Sequence, residues 1–148
     1  MYLTAPFSKE QLDLLYGNDN DLVFLMKQTT ESYRYEYVNP KCREVFRKEL
    51  IGTLVDDSMP AALAEEIKKQ YKIALDARNT HTYRDYNLFT KHKIAIETEV
   101  KPIICDDGQY ILAISRNVTK QKKVEEDYLF YQSPVSYTHL TLPTICSV

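Results

Sequence analysis

The sequence predicts an α+β domain: one five-stranded antiparallel sheet covered on one face by helices, with a flanking helix at each end. Three observations carry that prediction. Apolar residues recur with period 2 before residue 40 and again after residue 81, whereas over residues 61–78 they recur with helical spacing. Turn-forming residues separate these segments, most clearly Asp106-Asp107-Gly108, where glycine suits a tight hairpin. Finally, 148 residues are one domain's worth. A chain of this size buries roughly 70% of its unfolded surface, so it needs neither disulfides nor a metal to hold a core.

Taken in order, Ser8, Glu10 and Gln11 followed by Leu12, Leu14 and Leu15 predict a short amphipathic helix that stops at Gly17. Residues 21–28 form a compact, mostly apolar run, and residues 33–38 alternate aromatic and polar side chains. These are two strands of a hairpin turning at residues 29–32. Asn39 and Pro40 open a short helix with Val45 and Phe46 on its apolar side, ending near residues 50–52. Asp56, Asp57, Ser58 and Pro60 are turn and cap residues leading into a long helix over 61–78, with Leu63, Ile67, Tyr71, Ala74 and Leu75 on one face. Strands follow over 82–90, 94–104 and 109–118. Thr119 then stands as N-cap of a charged exit helix over 120–131 with the stripe Val124, Tyr128 and Tyr131.

Composition removes several classes of function. Nineteen Lys and Arg against 21 Asp and Glu leave a formal charge of −2, with no basic excess to mark a nucleic-acid footprint. The longest apolar runs, 22–26 and 111–114, fall far short of the about 20 residues that span a bilayer. Residues 1–10 lack the pattern of a secretory signal, so the chain reads as cytoplasmic. Residues 134–148 contain no charged side chain, and Val135 to Thr144 match one reading frame of a sequencing-library adapter. They are expected to be foreign to the fold, with the natural chain continuing beyond about Ser133. That sets aside Cys146 and His139. Cys42 and Cys105 remain, with no C-x-x-C pair and no histidine spaced for zinc, and take no role.

At this point the residues resemble the PAS sensory-domain family over residues 21–126. The resemblance rests on Asn39 at the end of the second strand, Glu49-Leu50-Ile51-Gly52 after the first helix, and Pro102-Ile103-Ile104 before Asp106-Asp107-Gly108. It closes with Arg116-Asn117-Val118-Thr119 leading into residues 120–126. The domain layout it implies is a flanking helix over 1–20, a PAS-like sensory domain over 21–119 and an exit helix over 120–133. Where the family usually has Asp-Ile-Thr before that helix, this chain has Asn117-Val118-Thr119 and so lacks a carboxylate. Asn117 and Thr119 are therefore the expected signal-transmitting residues, with the Thr119 hydroxyl as cap.

Such folds hold a cavity between sheet and helices. The expected lining is Phe24, Tyr37, Phe46, Ile67 and Tyr71, joined by Tyr86, Leu88, Ile96 and Leu112 from the later strands. Its filling is not legible, and the cofactor stays unknown. Flavin photochemistry is disfavoured, because the family's reactive cysteine follows the Glu-Leu-Ile-Gly stretch and Cys42 precedes it. Haem is disfavoured as well, because His81 and His92 read as solvent-facing. Tyr33, Tyr35, Tyr37, Tyr71, Tyr83, Tyr86 and Tyr110 would suit a polar aromatic pocket, although tyrosine is also simply a good strand residue. No nucleophile elbow, phosphate-cradling loop or catalytic histidine context stands out. No catalytic or metal-binding residue is assigned.

The expected function is a non-catalytic sensory or protein-interaction input that regulates a missing C-terminal output module. That module would be a diguanylate cyclase, a histidine kinase or a second PAS repeat, with the cyclase preferred. The expected partners are a small-molecule ligand and a second copy, paired through Leu12, Leu14, Leu15 and the exit-helix stripe, with no nucleic acid and no membrane. The alternative is a small α+β enzyme or ligand-binding fold with a substrate cavity between sheet and helices.

Overall fold

The computed structural model describes residues 8–86 and 95–119. Its elements are α1 (Lys9–Tyr16), β1 (Leu22–Gln28), β2 (Tyr33–Val38), α2 (Pro40–Phe46), α3 (Val55–Ser58), α4 (Ala61–Ala77), β3 (His81–Tyr86), β4 (Ala95–Cys105) and β5 (Gly108–Asn117). The strands form one antiparallel sheet in the order β2-β1-β5-β4-β3, the PAS-like α+β arrangement. The exit helix, the adapter-like residues 134–148, Leu88 and His92 lie outside the described residues. Among the described residues no helix is long and apolar enough to cross a membrane.

Local chemistry explains most boundaries. Ser8 caps α1 by accepting from the Gln11 N–H, and the Gln11 side chain accepts from the Ser8 N–H in return. Asn39 caps α2 with Pro40 in its first turn. Residues 55–58 form their own turn of helix, so Asp56 and Asp57 belong to α3 rather than opening α4, and Asp56 pairs with Lys68 of α4 at 3.0 Å. The Leu50-Ile51-Gly52 stretch also gains a physical role. Leu50 is buried, Gly52 takes the positive φ of 88° that glycine tolerates, and its N–H donates to the carbonyl of Tyr35. The Tyr35 N–H in turn donates to the Thr53 carbonyl, so this segment satisfies part of the free edge of β2.

Two apolar layers sandwich the sheet. On one face Phe24, Met26, Tyr33, Tyr35, Val100, Ile111 and Ala113 pack against Cys42, Val55, Leu63, Tyr71 and Leu75 from α2, α3 and α4. On the other, Leu25, Tyr37 and Tyr110 pack around Leu12, and Val23, Leu112 and Ile114 against Tyr16 and Ile103. The stripe expected on α1 is thus not a single surface. Leu12 is buried against its own sheet, whereas Leu14 and Leu15 are 87% and 62% exposed. Leu14, two positions along the helix from the docked Leu12, points away from the sheet, and Leu15 lies at the rim of the docked face where the sheet leaves it uncovered.

Candidate functional site

The long helix presents Leu63, Ile67 and Tyr71 at intervals of four, one stripe aimed at the sheet. Facing it are Phe24 of β1, Tyr35 of β2, Tyr83 and Asp85 of β3, Thr98 of β4 and Ser115 of β5. Phe46 at the end of α2 and Met59 before α4 close the wall. Together they enclose a cavity of about 30 Å³, room for one or two waters. One side is aromatic: the Phe24 ring lies 5.9 Å from that of Tyr35 and 6.2 Å from that of Phe46. The other is polar, because the register sets Tyr83 opposite Thr98 and Thr98 opposite Ser115, whose hydroxyls lie 2.8 Å apart.

Burial governs the electrostatics. It raises the phenols of Tyr35, Tyr71 and Tyr83 well above the ordinary tyrosine range, so all three are neutral hydroxyls. Burial, reinforced by the charge of Glu66 on α4, pushes the Asp85 carboxyl up to about 6. Asp85 makes no hydrogen bond or ion pair among the described residues. Glu66 accepts from the Gln70 amide, and Gln70 in turn accepts from His81 Nε2 at 2.5 Å. His81, expected to face solvent, is instead half-buried between that amide and the ring of Tyr83, because the β3 edge packs against α4. Cys42 is buried, its thiol is pushed up to about 12, and it donates to the Val23 carbonyl.

Of the residues expected along the cavity, the structure brings Phe24, Phe46, Ile67 and Tyr71 to it. Tyr37 and Leu112 are corrections, since both lie on the opposite face. The register between β1 and β2 shifts between Leu25 and Met26, which pair with Tyr37 and Tyr35 respectively, leaving Glu36 as an extra residue. That bulge inverts the alternation, so Tyr35 faces the helices and Tyr37 faces α1, donating to Asp13 at 2.7 Å. Leu112 sits in the central strand, where both faces are buried and alternation carries no signal. Ile96 lies two positions from Thr98 but does not line the cavity. Tyr86 is described only as the last residue of β3.

Sequence reasoning missed Asp85, Thr98 and Ser115. One signal was available: an aspartate two positions from Tyr83 in an alternating strand shares the tyrosine's face. Thr119 has a further role, while the helix it is expected to cap lies outside the described residues. Its hydroxyl accepts from the Ala95 N–H at 3.0 Å and donates to Asn117 Oδ1, which also accepts from the Thr119 N–H. The threonine thus ties the end of β5 to the start of β4.

No family model and no curated protein matches the sequence. Solved structures do. The phage VqmA–DPO complex matches with a TM-score of 0.61 at 18% identity, covering 83% of this chain and 58% of that one. The PAS domain of Bordetella pertussis BvgS matches at 0.60 and 12% identity, covering 83% and 95%. The Vibrio cholera VqmA–ligand–DNA complex matches at 0.59 and 16% identity, covering 76% and 51%. The chain therefore has a PAS-like fold, and it spans little more than half the length of the VqmA chains. The last similarity corrects the expectation of no nucleic-acid partner, because a fold of this kind occurs in a protein bound to DNA. Net charge reports only on this segment's own surface and says nothing of what a longer protein contacts.

Proposed function

We propose that the chain is a non-catalytic signal-input domain whose cavity takes a small ligand and whose β5 exit, at Asn117 and Thr119, relays the change to a C-terminal output module. The observation that carries this reading is the pair of cavity hydroxyls on Tyr35 and Tyr71. These residues are only 3% and 4% exposed, and neither hydroxyl has a hydrogen-bond partner among the described residues. Each hydroxyl can both donate and accept, so both are open to a partner that enters the cavity. The non-catalytic reading is supported by Asp85, the one carboxyl on the wall, which is hydrogen-bonded to no nucleophile or base among the described residues. A diguanylate cyclase is the output expected from the sequence, and the VqmA similarities make a DNA-binding output equally compatible.

The test uses the protein joined to its natural output module. Ser115→Val adds methyl groups inside the cavity, and is expected to abolish both release of a small molecule on denaturation and the response of the output. Thr119→Val removes the acceptor for the Ala95 N–H, and is expected to weaken the response while leaving binding intact. An output that responds normally in Ser115→Val would show that the cavity is not the input.

A further inference from the structure

We propose that the cavity selects a small flat molecule that presents an N–H donor or a protonated nitrogen to Asp85 and an acceptor to the hydroxyls of Tyr35 and Tyr71. This rests on reading the chain as a ligand-input domain, and adds to it the chemical class of the ligand. The strand register carries the first part. Tyr83 and Asp85 stand two apart on β3 and so share the face turned to α4, while Arg84 between them reaches the other way to Glu97 at 3.2 Å. The neighbouring arginine is thereby committed elsewhere, and no cation meets Asp85 among the described residues.

The groups around Asp85 on every packed element sharpen the choice. From α4 comes Glu66, a like charge, and the nearby Lys68 is held by Asp56 and Glu65 at 3.0 and 3.3 Å. Its own strand supplies Tyr83, and β4 and β5 supply the neutral Thr98 and Ser115. The uncompensated charge on the wall is negative, so an anion is repelled. A purely apolar guest would displace solvent from one carboxyl and two hydroxyls without pairing them, a desolvation cost for each. A nitrogen donor beside an acceptor satisfies all three.

Shape and size follow from the opposite wall. The Phe24 ring lies 5.9 Å from that of Tyr35 and 6.2 Å from that of Phe46, an aromatic wall that favours a flat aromatic guest. At about 30 Å³ the cavity admits even one ring only as its walls shift, and two of those walls, Ile67 and Tyr71, belong to α4. Binding of such a guest therefore bears on the helix that covers the sheet.

The experiment follows amide and tyrosine chemical shifts of the full chain with three probes: 2-aminopyridine, 2-methylpyridine and benzoate. The expected result is 2-aminopyridine binding at least about tenfold more tightly than 2-methylpyridine, and no binding of benzoate. Asp85→Asn should erase the tenfold preference and Tyr71→Phe should weaken it several-fold, each with an otherwise unchanged spectrum. Equal binding of the two pyridines, or a preference that survives Asp85→Asn, overturns the proposed selectivity while leaving the ligand-input reading intact. Failure of all three probes to bind also overturns it. In that case the Ser115→Val output experiment decides separately whether the cavity is an input at all.

Discussion

Asn39 concentrates more structural consequence in one side chain than any other residue described. It is 0% exposed, its Oδ1 accepts from the Val23 and Cys42 N–H groups, and its Nδ2 donates to the carbonyls of Asp21 and Tyr16. One amide thus joins the end of α1, the start of β1 and the first turn of α2. Asn39→Ala leaves buried donors and acceptors unpaired, and the expected loss is about 3 kcal/mol by urea denaturation. A loss below about 1 kcal/mol would mean that water replaces the amide. Asp85 gives the opposite sign. Its folded-state value, raised to about 6, lies above that of an unfolded aspartate, so the protonated form is favoured by folding. Its stabilising contribution is full below about pH 4 and is lost as pH rises through about 6. Asp85→Asn is expected to raise stability at pH 7.5 by about 1 kcal/mol, discounted for solvent screening of a half-buried carboxyl, with no gain at pH 4. Equal effects at both pH values would show that the carboxyl is not perturbed.

Among the elements, α1 and β2 show how docking depends on a single residue's direction. The helix is only eight residues long, too short to be stable alone, and it is held by Leu12 against Leu25, Tyr37 and Tyr110 and by the Tyr37–Asp13 hydrogen bond. The bulge at Glu36 makes that docking possible by turning Tyr37 outward. Leu12→Ala is expected to cost about 3 kcal/mol, with faster amide exchange through α1. Leu14→Ala, on the exposed side, is expected to change stability by no more than about 0.5 kcal/mol. Equal costs would mean that both leucines are buried in solution, by another copy or by another part of the chain.

For the whole molecule, the sheet is one layer shared by two apolar clusters. β1 sends Phe24 and Met26 to the helix-covered face and Val23 and Leu25 to the other. Neither cluster can open without disturbing the strands that hold the other. Unfolding followed by far-ultraviolet circular dichroism and by tyrosine fluorescence is therefore expected to give a single coincident transition. Leu12→Ala and Leu63→Ala, on opposite faces, should shift both signals together. Two separated transitions would identify the α1 face as an independent unit.

The sequence by itself determined the order of the elements, the hairpin at Asp106-Asp107-Gly108, the α4 stripe and the caps at Ser8 and Asn39. Turn chemistry, capping and helical period act within a few residues, so they are written locally. The tertiary structure alone decided which way several side chains face. Tyr37 turned outward because of a bulge defined only by pairing with β1, and Leu112 because the central strand is covered on both sides. The polar side of the cavity belongs to the same class. Asp85, Thr98 and Ser115 come from three strands and meet only through cross-strand register, a relation between segments that no single segment contains.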